Sequence, residues 1–292
     1  MTLRCGIRLT IIGWLLLALT GCSALRVAYS TGPQISWWWI DGYFDFSREQ
    51  RPAVQGAIER WFDWHRSTQL PDYVALLGVA QRQVPEPMTS GVACRWNSEI
   101  RELLAPALDR ALVQAAELLP GLAEPQLRHL ERRYQKNLEE VRLEFLQPEP
   151  AVRLQASLKR AVGRAEQVYG KLDEAQRRLI GEGLAASPFD PQAWFDERGR
   201  RQRDTLQTLR QLLAGGADTG QRVAALRALL ERSSRSPDAP YRALQHRLTD
   251  YNCAFVARLH NTTTPAQRRH ARETFKGWAD DLSALMSPAG GN

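Results

Sequence analysis

The sequence predicts an all-α protein, and three observations predict it. Apolar residues recur at intervals of three and four through most of the chain. Short polar residues followed three positions later by glutamine open one apolar run after another. No stretch alternates with period two, and β-branched residues, which favour strands, are sparse. The expected architecture is one periplasmic domain of about eight to ten helices behind a signal peptide.

Taken in order, residues 1–21 read as that signal. Arg4 and Arg8 supply the positive start, and Leu9 to Thr20 is an apolar run of 12 residues. A membrane-spanning helix needs about 20, so the run fits a cleaved leader rather than a span. Leu19-Thr20-Gly21-Cys22 resembles a lipobox, which implies thiol acylation of Cys22 by a diacylglyceryl group, cleavage before it, and addition of a further chain such as palmitate. Two or three acyl chains, each buried methylene contributing about 0.8 kcal/mol, would anchor the chain to a leaflet. An ordinary secretory signal with an incidental cysteine is the alternative. Ser23, where an aspartate would direct retention in the inner membrane, implies the periplasmic side of the outer membrane; inner-membrane anchoring is the second choice.

Residues 22–36 lack periodicity, contain Gly32-Pro33, and are expected as a tether; 37–292 form the helical domain. The domain opens on an aromatic block, Trp37, Trp38, Trp39, Tyr43, Phe44 and Phe46, interrupted by Asp41, Gly42 and Asp45. Such rings suit either the headgroup layer of a bilayer or an N-terminal cover on the core. The aspartates and Gly42 point to a shaped turn and favour the cover. Helical stripes follow at Val54/Ile58/Trp61/Phe62, Leu127/Leu130/Tyr134/Leu138/Val141/Phe145, Leu154/Leu158/Val162/Ala165/Tyr169, Leu206/Leu209/Leu213, Leu244/Leu248/Tyr251/Phe255/Leu259 and Ala271/Phe275/Trp278/Leu282. Breaks fall at Pro85 and Pro87, Pro120-Gly121, Pro148 to Pro150, Ser187-Pro188, Gly215-Gly216 and Pro237 to Pro240, and Pro106 should kink or split its helix. Four helix starts fit a capping box: Ser47 with Gln50, Asp173 with Gln176, Asp218 with Gln221, and Thr264 with Gln267. Ala123-Glu-Pro-Gln126 is a degenerate version without the capping oxygen.

Charge and cysteines narrow the function. Loss of residues 1–21 removes only Arg4 and Arg8 among charged residues, so the formal charge falls from +7 to +5. Bases and acids are interspersed, and no nucleic-acid partner is implied. The densest basic cluster, Arg198, Arg200, Arg201 and Arg203, reads as a solvated face paired with Glu197 and Asp204, with anionic lipid phosphates as the alternative target. With Cys5 cleaved off and Cys22 acylated, Cys94 and Cys253 remain in an oxidising compartment, which favours a disulfide. Cys253 lies opposite the stripe Leu244 to Leu259 on a helical wheel, so simple core packing does not explain it.

Catalytic chemistry is not legible. His65, His129, His246, His260 and His270 lack metal-ligand spacing, and there is no Gly-rich phosphate loop or G-x-S-x-G elbow. No metal, cofactor or catalytic residue is expected. His260 beside Asn261 is the most site-like position, but a helix C-terminus before the Thr264 cap is the favoured reading.

Several segments resemble an uncharacterised proteobacterial lipoprotein family: Trp38-Trp39-Ile40-Asp41-Gly42-Tyr43, Leu130-Glu131-Arg132-Arg133-Tyr134, Ser187-Pro188-Phe189-Asp190-Pro191, and Tyr251-Asn252-Cys253 with Leu259-His260-Asn261. That likeness implies location and fold, not activity. Leu172-Asp-Glu-Ala-Gln176, Thr263-Thr-Pro-Ala-Gln267 and Phe46-Ser-Arg-Glu-Gln50 more loosely resemble the Leu-Thr-x-x-Gln motif of Spy- and CpxP-type periplasmic chaperones. The expectation is a membrane-anchored envelope protein that is not an enzyme and binds unfolded or envelope proteins in a chaperone-like way. A structural or accessory subunit of an envelope complex is the alternative, and the oligomeric state is left open.

Overall fold

The computed structural model describes residues 24–147 and 149–287; residues 1–21, expected as a signal peptide, Cys22 and Ser23 lie outside them. Among the described residues there are twelve α-helices and no strands. In chain order they are α1 (Ala24–Ser30), α2 (Gly32–Phe44), α3 (Arg51–Trp64), α4 (Leu70–Gln83), α5 (Ser90–Leu118) and α6 (Glu124–Phe145). Then come α7 (Pro150–Tyr169), α8 (Glu174–Ala185), α9 (Pro191–Ala214), α10 (Thr219–Ser234), α11 (Ala239–Asn261) and α12 (Pro265–Met286). Among the described residues the expected proline- and glycine-rich breaks fall between helices, with Pro150 and Pro240 in the first turn of the next one.

The count exceeds eight to ten because the N-terminal stretch is helical where a tether was expected. Tyr29 of α1 explains this: its ring meets Phe62 edge-on at 5.5 Å and its hydroxyl bonds His65 Nδ1 at 2.9 Å. Gly32 permits the next step, since a Cβ there would lie 2.5 Å from the Phe62 ring. The aromatic block is likewise helix rather than turn. Its turn comes at its end, where Asp45 adopts φ 52° and Asp41 Oδ1 accepts the amide of Phe46 at 3.0 Å. On α2, Trp37 is buried at 5% exposure while Trp38 and Trp39 are each 65% exposed. The block therefore covers the core with one face and shows two indoles to solvent with the other.

Pro71 shapes the junction of α3 and α4. Lacking an amide hydrogen, it cannot continue the regular ladder, and a π turn, His65–Gln69, takes up the extra residue between the helices. Pro106, in contrast, neither ends nor splits α5. Glu102, whose carbonyl loses its amide partner to that proline, is exposed, so water can replace the bond.

Buried apolar residues gather in three clusters. Leu119, Leu127, Leu130, Leu206, Leu209, Leu226 and Leu229 knit α6, α9 and α10 to the end of α5. Trp37, Val54 and Ile58 join α2 to α3. Leu172, Ile180 and Leu259 join α8 to α11, with Leu158 and Val162 of α7 packed on them. The first two form an N-terminal region and the third a C-terminal one. Between them, α4 and α12 pack closely through small residues, Ala80, Ala271 and Ala279.

Candidate functional site

Three of the four expected capping boxes form as complete pairs, at Asp173/Gln176, Asp218/Gln221 and Thr264/Gln267. Ser47 and Gln50 exchange the same two bonds, but in a turn just ahead of α3, which begins at Arg51. At Ala123 only the glutamine half exists: the Ala123 amide donates to Gln126 Oε1 at 3.0 Å.

The glutamines then do something the local pattern does not announce. Gln176 and Gln267 exchange two amide hydrogen bonds, 2.8 and 2.9 Å, tying the starts of α8 and α12. Gln176 also donates to the Thr262 carbonyl and Gln267 to that of Lys171. Gln50 and Gln126 form a second such pair, 3.2 and 2.9 Å, between the starts of α3 and α6, and Gln50 also donates to the Gly121 carbonyl. Every polar atom of the four side chains has a hydrogen-bond partner in these clasps.

The same holds for the remaining site-like residues. His260 is fully buried, with Nδ1 accepting from the Tyr169 hydroxyl at 2.8 Å and Nε2 against the Glu86 carbonyl at 2.9 Å. Burial holds its pKa below the ordinary histidine value, with Arg268 adding to that and the Glu86 bond opposing it. A neutral ring with both nitrogens used is structural, and α11 does end at Asn261, which clamps the Met88 amide and carbonyl at 2.8 Å each. Cys94 and Cys253 stand at disulfide geometry, with Cα atoms 5.2 Å apart. Cys253 is buried on a second face of α11, turned to α5, which is why it falls off the main stripe. Among the described residues no three His, Cys, Asp or Glu side chains could hold a metal ion, and no helix is long and apolar enough to cross a membrane.

Several grooves stay open. Two, of about 520 and 570 Å³, lie beside Arg272 of α12, and two others adjoin in the N-terminal region as a two-part cavity. One part, a half-open chamber of about 430 Å³, lies among α2, α3, α5, α9 and α10. Its walls are mainly apolar, among them Phe44, Val54, Ile58, Trp61 and Leu209, with Ser36, Gln114 and Thr205 the polar members. The other part, the polar mouth, about 350 Å³, adjoins it, and Ile40, Phe44 and Thr205 belong to both. Here the lining changes to Trp39, Tyr43, Tyr134, Trp194 and Tyr241, with Glu197, Arg198, Arg201 and Gln202. Both volumes fall in the range of small-molecule sites, about 300–1,000 Å³.

The arginine cluster splits at this mouth. Glu197, 5% exposed, accepts from Arg200 at 2.7 and 2.9 Å, from Arg201 at 2.9 Å and from the Ser236 hydroxyl at 3.0 Å. Burial pushes its carboxyl up, but these bonds outweigh burial and hold its pKa below the ordinary value. Asp204 pairs with Arg232 and Arg200. Arg203 stays exposed. Arg198 has no carboxylate partner among the described residues. Its terminal nitrogen bonds Asn137 Oδ1 at 2.6 Å, its guanidinium lies 6.0 Å from the Trp194 ring centre, and its buried Nε has no hydrogen-bond partner. The buried Oε1 of Gln202 beside it also lacks one. Orphaned buried polar atoms cost about 1–3 kcal/mol each, so two in one pocket call for an explanation.

Residues 42–235 match a family of unknown function, DUF6279. The matched span takes in the mouth except for Trp39, Ile40 and Tyr241. No curated protein and no solved structure matches the chain.

Proposed function

Since the chain belongs to the DUF6279 family, for which no function is assigned, we propose from its own residues that it is a lipid-anchored, non-enzymatic binding protein of the bacterial envelope. Its working site is the two-part cavity, and the observation that carries the reading is the apolar chamber beside a cationic, aromatic mouth. A mainly apolar groove of this size beside a few polar groups is the usual form of a small-molecule site. The polar groups of the clasps and of His260 are saturated, which favours holding over reacting. The lipobox at Cys22 supplies the location, on the periplasmic face of the outer membrane, and membrane attachment runs through that lipid.

The binding arm of the test uses the mature chain with Cys22→Ser, which keeps every described helix. N-phenyl-1-naphthylamine should bind it with a blue-shifted rise in fluorescence, and Leu209→Trp, which fills the chamber, should abolish the signal while the far-ultraviolet spectrum stays helical. An unchanged signal in that variant defeats the reading. The location arm is fractionation: Cys22→Ala should leave uncleaved precursor and empty the outer-membrane pool.

A second reading, as an accessory subunit or a chaperone-like binder of envelope proteins, is favoured by one other feature. Ile100, Leu104 and Leu108 repeat at i, i+4 and i+8 along α5 and are each 43–51% exposed. In-cell crosslinking at Leu104 discriminates: one stoichiometric partner supports the subunit, many transient ones the chaperone, and none removes this reading.

A further inference from the structure

We infer that the ligand of the cavity is a single-chain amphiphile with a small anionic head, carboxylate or phosphate, whose chain occupies the chamber and whose head is held by Arg198. The inference rests on the proposed binding role and adds the chemical class. Polarity runs one way along the site. The chamber offers apolar walls, and the aromatic and cationic groups belong to the mouth alone. A purely apolar guest would leave the mouth unused, and a purely polar one could not enter the chamber without losing its hydration.

Arg198 singles out the head's charge. Three neighbouring arginines are bound to carboxylates: Arg200 and Arg201 to Glu197, and Arg232 to Asp204. Arg198 meets only the neutral amide of Asn137 and the face of Trp194, and keeps a buried Nε–H without an acceptor. A guanidinium with no carboxylate opposite matches a carboxylate or phosphate, which can take N–H groups of its two terminal nitrogens side by side. The Glu197 carboxylate on the same lining does not repel such a head strongly, because two arginines and Ser236 already engage it. Trp39, exposed on α2, also lines the mouth.

The test titrates dodecanoate, dodecyl phosphate and dodecanol, all below their micelle concentrations, into the Cys22→Ser mature chain, following tryptophan fluorescence and heat. At least one anionic probe should bind roughly tenfold to a hundredfold more tightly than the alcohol, the range of one charge-assisted hydrogen-bond pair, and which one does so identifies the head. Arg198→Gln should erase that preference and leave dodecanol affinity unchanged; Arg198→Lys should restore part of it. Equal affinity for all three probes in the parent chain, or a preference that survives Arg198→Gln, overturns the anionic head while the cavity reading stands. No binding of any probe overturns both. A matching urea midpoint for Arg198→Gln excludes simple unfolding.

Discussion

The two glutamine clasps are the same device closing two different interiors. Gln50 with Gln126 and Gln176 with Gln267 each join two helix starts through a reciprocal amide pair, and each anchors backbone carbonyls besides. Each region also holds a Tyr hydroxyl on a His Nδ1, Tyr29 on His65 and Tyr169 on His260. Inside, they diverge. Around the C-terminal clasp Leu172, Ile180 and His260 are 2% exposed or less, and Gly183 leaves so little room that a Cβ would lie 2.3 Å from the Phe255 ring. Beside the N-terminal clasp lies the chamber. Clasping the helix ends therefore does not itself fill the core. Apolar side chains fill the interior beside the C-terminal clasp, while the N-terminal region keeps an apolar groove between helices fixed at their ends.

The largest effect expected from breaking this comparison comes from the bridge between Cys94 and Cys253. It ties α5, whose far end walls the chamber, to α11 of the C-terminal region. With 159 residues between the cysteines, the chain-entropy relation puts the stabilisation at up to about 5 kcal/mol. Cys94→Ser with Cys253→Ser should lower the urea midpoint accordingly, and alkylation of the non-reduced parent should add no label to either cysteine in an intact-mass spectrum. Two labelled thiols would refute the bridge.

Next in size are the clasps. Gln176 is 2% exposed, so Gln176→Leu removes from a buried position its bonds to the Thr262 carbonyl, the Asp173 amide and the Gln267 side chain, and a loss of about 2–4 kcal/mol is expected. Gln50 is partly exposed, so water can replace some of what Gln50→Leu removes, and the cost should be about 1–2 kcal/mol. Urea melts of both variants check the order. Equal losses would mean that burial does not separate the two regions.

The sequence shows these clasps only in part. Each box is local, because cap and glutamine sit three residues apart and satisfy one helix end, so Asp173, Asp218 and Thr264 are readable one by one. That Gln176 meets Gln267 across 91 residues, and Gln50 meets Gln126 across 76, depends on how helices pack. The proline and glycine breaks are legible for the same local reason. The tether at 22–36 was misread because the order there comes from outside the segment, from Phe62 and His65 on α3 and the π turn. Arg198 looks like its neighbours in sequence and differs only in what stands opposite. A cavity is a lack of side-chain volume, and no residue type announces it.

The smallest predicted effect places one added carbon in each region. Gly183→Ala should help α8 by its intrinsic propensity, about 1 kcal/mol, yet its Cβ would fall 2.3 Å from the edge of the Phe255 ring. Overpacking of this kind costs about 1–3 kcal/mol, so a net loss near 1 kcal/mol is expected. Ala57 is buried on the chamber wall, and Ala57→Val adds its methyls where there is room. The burial of an extra carbon, about 0.8 kcal/mol, opposes the small helix penalty of a β-branched residue, and the urea midpoint should stay level or rise slightly. The sign of the difference decides the matter. If Ala57→Val destabilises as much as Gly183→Ala, the chamber has no spare volume and both regions are packed alike. If it stabilises while weakening the naphthylamine probe, the empty space and the binding space are the same.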